Sequence, residues 1–375
     1  MSALSRRRVA AALAAIGLCL CLTAPSAAAQ GSLTGVEPID PARAFAASAL
    51  SIEIGYTTTD QRGAPAQASG ALYLPRGLPP AGGWPLVVWA HGTVGIGDSC
   101  APSRRPQSDR NSTYFNRILD SGYAVLAPDY QGLGAPGQFS YYNTAVEGAS
   151  ILDAVAAVRT APVPLSSAWA VIGQSEGAHA AMSAASLYAE SGGRAAAGLR
   201  GVIATGLRTD PPRSLREMFR RDSTGSANQV AYAAYFLAAL RELHPERVAP
   251  YLSDFGRDYV ESATTRCLSE LVSAAGGLRP EALVADPDNP TPTFESDIAE
   301  LTGYRDDNLP TDISLGYGTA DIDVPPTTTD SYATTLQDLN PRIHVTLDRY
   351  PGQDHSGAFI ASLPNALAFL RTHLR

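Results

Sequence analysis

The chain has no lysine. All 28 basic residues among its 375 are arginine, which excludes Schiff-base catalysis and the phosphate-binding lysine of a P-loop. Charge is scarce as well, at 17% of residues against 45% hydrophobic. Such a composition provides for one large core and a smaller inserted subdomain. The 36 acidic residues outnumber the arginines for a net charge of −8, so nucleic acid is not expected as a partner. Only six histidines occur, without a pair at metal-ligand spacing, and nothing calls for a metal.

The N-terminus reads Ser5-Arg6-Arg7-Arg8, an apolar run from Val9 to Leu22, then Ala27-Ala28-Ala29. This is the charged, greasy and small-residue order of a secretory signal, and residues 1–29 are expected to be cleaved on export. The run is shorter than the roughly 20 residues a bilayer span needs, which argues against a stable membrane anchor. Sec and twin-arginine routes both stay open. Cleavage removes three arginines and no acid, making the chain more acidic. It also removes Cys19 and Cys21, leaving Cys100 and Cys267 alone in an oxidising compartment, where a pair is expected to form a disulfide rather than stay as buried thiols.

Two strand-like segments, Leu50 to Thr58 and Ala68 to Leu74, flank the turn Asp60-Gln61-Arg62-Gly63 and read as a hairpin at a sheet edge. Pro85 to Ala90, Tyr123 to Ala127, Trp169 to Ile172 and Gly201 to Thr205 are continuous apolar runs of the kind buried parallel strands show. Helical spacing over Thr144 to Arg159 and Ala178 to Tyr188 alternates with them, predicting a mostly parallel sheet covered by helices on both faces. The rhythm breaks over residues 210–310, where helical, aromatic-rich stretches at Val230 to Leu243 and Tyr251 to Val260 read as an inserted cap. Residues 30–209 form the first part of the core on this reading. Residues 311–375 form the second, with strands at Asp312 to Gly316 and Ile343 to Leu347 and a last helix from Pro364 to His373.

Gly173-x-Ser175-x-Gly177 stands where a predicted strand meets a predicted helix, a context that gives this short pattern weight. The glycines allow a sharp turn that exposes the Ser175 hydroxyl, while the N–H of Glu176 can face a developing oxyanion. A serine nucleophile needs a base. His91 immediately precedes a glycine at a strand end, the place of an oxyanion loop; His179 lies on the helix after Ser175 and points along it; His244, His344 and His373 read as structural or solvated. His355 remains, in a turn-rich loop after the last strand. Asp321, just past a strand and three residues before Val324-Pro325, is the expected acid, ahead of Asp323 and Asp354. The order Ser, Asp, His is that of the α/β-hydrolases.

The chain also resembles the secretory lipases of the α/β-hydrolase superfamily. The resemblance rests on His91-Gly92-Thr93 followed by Cys100-Ala101-Pro102-Ser103, on Pro128-Asp129-Tyr130-Gln131-Gly132, on Gly173-Gln174-Ser175-Glu176-Gly177, and on Tyr317-Gly318-Thr319-Ala320-Asp321-Ile322-Asp323-Val324-Pro325-Pro326. It implies an α/β-hydrolase fold, extracellular hydrolysis of small-molecule or lipid esters, no cofactor, and a lid over the acyl site, with transient contact to a lipid interface left open. Backbone N–H groups of Glu176 and of Thr93 or its neighbours would bind the oxyanion. A secreted peptidase with the same triad, or a binding protein on the same scaffold, are the alternatives.

Overall fold

The computed structural model describes residues 29–194, 196–221, 226–289 and 292–374. The expected signal segment, apart from Ala29, lies outside the described residues.

Among the described residues, nine strands form one sheet: β1 (Leu33–Pro38), β2 (Ser48–Thr59), β3 (Pro65–Pro75), β4 (Trp84–Ala90), β5 (Ala124–Pro128), β6 (Leu165–Gln174), β7 (Leu199–Thr205), β8 (Ile313–Gly318) and β9 (Val345–Tyr350). Their spatial order is β1-β2-β3-β5-β4-β6-β7-β8-β9, antiparallel from β1 through β3 to β5 and parallel from β5 to β9. The β2–β3 hairpin is therefore not the edge, as the sequence suggested, because β1 pairs along its outer side. β1 is largely exposed and includes Gly35 and Pro38, which hid it from a search for apolar alternation. The hairpin turn forms as expected: the Asp60 carboxylate accepts from the N–H groups of Arg62 and Ala64, and Gly63 takes φ +73°.

Helices α1 (Asp109–Asp120), α2 (Thr144–Val158) and α3 (Glu176–Glu190) follow β4, β5 and β6. After β7 the chain leaves the sheet for the helices α4 (Pro211–Met218), α5 (Ala227–Leu243), α6 (Pro245–Val248), α7 (Asp254–Ala263), α8 (Leu268–Ala274) and α9 (Phe294–Thr302), before β8 restores the alternation. Tyr251 to Ser253 precede α7 rather than opening it: the Ser253 hydroxyl caps the helix by accepting from Gly256 N–H. α10 (Thr329–Leu339), α11 (His355–Ala361) and α12 (Leu363–His373) complete the fold. Likewise His344 stands just ahead of β9 and not inside it.

Alternation along the central strands sorts the core into two layers. Leu86, Val88 and Ala90 of β4 join the apolar cluster under α2, α3 and α5, while Val87 and Trp89 join the one under α1, α11 and α12. A strand buried on both faces has no polar side to show, which is why β4 to β7 read as unbroken apolar runs. Every loop at the carboxyl ends of the parallel strands thus opens on the same edge of the sheet, where ligands bind in open α/β folds. Among the described residues, no helix is long and apolar enough to cross a membrane.

Candidate active site

β6 runs into α3 through Ser175, whose backbone takes φ +63° and ψ −123°. A non-glycine residue in that region costs on the order of 1–3 kcal/mol, so the surroundings must impose it. They do so by close packing. A Cβ on Gly173 would fall 1.9 Å from the Gly177 carbonyl oxygen, and one on Gly177 would fall 1.9 Å from that of Ala90. Both glycines are needed for α3 to approach β4 and β6 closely enough to fix the turn, and Ser175 N–H is held by Thr205 O at 2.9 Å.

His355 opens α11 instead of lying in a loop, and the helix is capped by the residue before it: Asp354 Oδ1 accepts from Gly357 N–H at 2.7 Å. The rival acid Asp354 is thereby occupied. His355 Nδ1 donates to Asp321 Oδ2 at 2.6 Å, and Asp321 Oδ1 accepts from the N–H groups of Asp323 and Val324 at 3.0 and 2.8 Å. Asp323, the other rival, instead accepts from the Ser226 hydroxyl and the Asn228 amide. Among the described residues, the buried His355 Nε2 has no hydrogen-bond partner, and Ser175 and His355 line one cavity of about 410 Å³ together with Thr93. The structure thus joins Asp321 to His355 and brings His355 to the Ser175 cavity.

Two positions that sequence reasoning passed over lie against His355. Gln174 Nε2 donates to the backbone carbonyl of His355 at 3.3 Å. Gly206, directly after β7, stands against the His355 ring. The available signals were the variable residue inside the Gly-x-Ser-x-Gly motif and a lone glycine at a strand end.

On the oxyanion side, Gly92 packs on the elbow: a Cβ there would lie 3.5 Å from that of Ser175. The Thr93 hydroxyl hydrogen-bonds Tyr141 Oη at 2.7 Å. His91 is buried and stacks on Tyr130, with Nδ1 donating to Gly92 O at 2.9 Å; burial holds its pKa below the ordinary value, so the ring shapes the loop as a neutral group. Asp129, from the Pro-Asp-Tyr-Gln-Gly segment, accepts from Ser69 Oγ and Ser103 N–H and ties the loops together.

Behind the elbow lies a buried polar cluster the sequence did not announce. Glu176 faces Glu147 and the Thr93 hydroxyl; burial pushes both carboxyls well above their ordinary range, and the Glu147 charge adds to the effect on Glu176. Glu147 Oε2 lies 2.9 Å from His179 Nδ1, while His179 Nε2 faces Thr302 O at 2.9 Å. Burial works against an ion pair here, lowering His179 to about 4 while it raises Glu147. In the neutral form of the pair, the Glu147 carboxyl donates to Nδ1, and Nε2–H donates to Thr302 O at the end of α9. His179 belongs to this cluster and not to the Ser175 cavity.

Cys100 and Cys267 are joined by a disulfide. It ties the loop after β4 to the α7–α8 junction, alongside a backbone bond from Leu268 N–H to Val94 O at 2.8 Å. Gly95 and Gly97 serve this contact: Cβ atoms there would fall 2.8 Å from Cys267 Cα and 2.7 Å from Thr265 O. Among the described residues, His244, Asp297 and Glu300 gather donor atoms in the insertion, but Asp297 already holds Arg247 at 2.6 Å.

Residues 106–277 match the secretory lipase family model. This secretory lipase span covers under half of the chain, including Ser175 and Cys267 but ending before Asp321 and His355. The fold is similar to that of Candida antarctica lipase A in its closed state, at 20% identity and TM-score 0.74, over 92% of this chain and 82% of that one. It is also similar to a ligand-bound rice cell wall degrading esterase LipA from Xanthomonas oryzae, at 19% identity and TM-score 0.72, over 92% and 98%. At these identities the likeness establishes the fold, which is α/β-hydrolase. No curated protein matches the sequence. The secretory lipase match on this fold supports a carboxylic ester hydrolase of the lipase or esterase kind.

Proposed function

We propose that the protein is an exported serine esterase in which Ser175 is the nucleophile, His355 the base and Asp321 the acid that holds it. One observation carries this reading: His355 lines the cavity of Ser175, its buried Nε2 without a hydrogen-bond partner among the described residues, while Nδ1 is engaged by Asp321. The Ser175 hydroxyl passes its proton to His355 Nε2 as Oγ bonds to the ester carbonyl carbon. The carbonyl oxygen gathers negative charge against backbone N–H groups of Glu176 and the Thr93 region. As the carbon–oxygen bond to the alcohol breaks, His355 returns the proton to the leaving oxygen, and water then repeats the sequence on the acyl-enzyme.

Residues 210–310 act as the cap in this reading. Support comes from Asn228 and Tyr232 of α5 and from Cys267 and Leu268, which wall the cavity opposite the elbow. Export is supported by the disulfide and by the charged, apolar, small-residue order of the N-terminus. A fluorophosphonate probe should label the protein at Ser175, and a panel of acyl chain lengths set against peptide amides should show turnover of esters. Labelling at another serine, or cleavage of amides alone, would refute the reading.

A further inference from the structure

Many surface arginines of this chain hold a carboxylate, as Arg213 does with Glu217 and Arg216 with Glu295. Arg105 and Arg110, which both line the Ser175 cavity, do not. Arg105 is exposed at the rim, with a guanidinium nitrogen 2.8 Å from Cys267 Sγ. Arg110, half-buried in the first turn of α1, lies over the Phe359 ring at 5.1 Å and donates to Asn111 Oδ1 and, at 3.4 Å, to the hydroxyl of Ser356, the neighbour of His355. Burial lowers its pKa, opposed by Tyr232 alone. Among the described residues, the only carboxylate lining the cavity is Asp323, already engaged by Ser226 and Asn228.

A partly desolvated guanidinium with neutral partners has lost hydration without gaining a counter-charge, so an anion brought to it restores what burial removed. The positive end of α1 lies on the same side and adds to the field, although Asp109 in that first turn offsets part of it. The planar fork of Arg110 is anchored by the ring beneath it, which suits two-point contact with a carboxylate.

We propose that the site takes esters bearing a carboxylate, and that Arg110, assisted by Arg105, binds that group while the ester lies at Ser175. The proposal rests on the reading of this cavity as an ester-hydrolase site. It identifies a specificity device at the rim, separate from the groups that make and break the ester.

The test compares each charged ester with its carboxamide twin, which keeps shape and loses charge. One arm places the group on the acyl end, with 4-nitrophenyl esters of adipic acid and of its monoamide; the other places it on the alcohol, with hexanoate esters of 4-hydroxybenzoic acid and of its amide. We expect kcat/KM to favour the carboxylate by about tenfold in at least one arm. Arg110→Gln should bring the ratio near one, Arg110→Lys should keep part of it, Arg105→Gln should lower it, and added salt should erode it. Melting curves establish that each variant is folded. A ratio near one in both arms of the wild type, or equal losses on both twins in Arg110→Gln, overturns the proposal. If the wild type turns over none of these esters, or Ser175→Ala keeps full activity, the ester-hydrolase reading itself has failed.

Discussion

A Cβ on Gly206 would lie 2.9 Å from Cε1 of His355 and 3.2 Å from its Nδ1. The glycine holds φ +67° directly after β7, so the chain turns away from the imidazole and leaves the ring against Asp321. Gly206→Ala should therefore push the ring off its acid while adding about 1 kcal/mol of backbone strain. The expected result is a loss of about 100-fold in kcat on an activated ester, because displacing a reacting group by an ångström costs about that much. Near-wild-type kcat in a folded variant would show that the ring has room to spare.

Ser175→Ala and His355→Ala should each remove turnover by several orders of magnitude with the fold retained. Asp321→Asn should cost about 10⁴-fold in kcat by favouring the wrong imidazole tautomer. Asp323→Asn should cost far less, since its carboxylate is spent on Ser226 and Asn228. Steady-state kinetics of the four variants, with melting curves, decides the assignment; the reverse order for Asp321 and Asp323 would move the acid.

The buried Glu147 predicts a pH dependence of stability with a definite sign. Its folded pKa is raised above the ordinary 4.5, so its contribution is complete below that value and is lost as pH rises toward the folded pKa. His179 works the other way: lowered from 6.5 to about 4, it contributes fully above 6.5 and loses this as pH falls toward 4. Above about pH 6.5 the His179 contribution is complete, and the raised carboxyls of Glu147 and Glu176 set the slope, at up to about 1.4 kcal/mol per pH unit for each proton taken up on folding. Glu147→Gln keeps an acceptor for Tyr142 N–H and a donor for His179, so denaturant unfolding should show a flatter pH profile and higher stability at the alkaline end. A variant whose profile parallels the wild type would mean that Glu147 folds ionised.

What the sequence disclosed follows from physical signals of short range. Buried parallel strands announced themselves because both faces of β4 to β7 are apolar, and the elbow did so because its two glycines have no substitute at contacts of 1.9 Å. β1 escaped because it is largely exposed and interrupted by Gly35 and Pro38. The helix that begins at His355 escaped because its cap, Asp354, sits in a run of turn-forming residues that read equally well as a loop. Gln174, Gly206 and the Glu147–His179 pair had weak local signals or none, because each acts on a group far away in sequence, from Gln174 to His355 or from Glu147 to His179. The same holds for Gly95 and Gly97, which pack against Cys267 and Thr265 of the α7–α8 junction.

The disulfide provides the last test, because it separates what anchors the insertion from what shapes the site. Cys100 and Cys267 are 167 residues apart, and chain-entropy arguments give a bond closing so long a loop up to about 5 kcal/mol. Residual structure in the unfolded chain reduces this, so a loss of about 2–4 kcal/mol is expected when both cysteines become serine. Replacing both avoids a free thiol that could react elsewhere. The junction would still be held by the Leu268–Val94 backbone bond and by the fit of Gly95 and Gly97 against Cys267 and Thr265. The insertion should therefore stay docked in the double variant under native conditions. Its activity should fall more than its secondary structure suggests, because both cysteines line the Ser175 cavity and Arg105 rests on Cys267. Denaturant unfolding with and without reductant, run beside kcat/KM, distinguishes the two effects. A double variant with wild-type stability would show that the apolar core of α5, α7 and α8 holds the insertion unaided. Wild-type kinetics in a destabilised variant would show that the bond anchors the insertion without shaping the cavity.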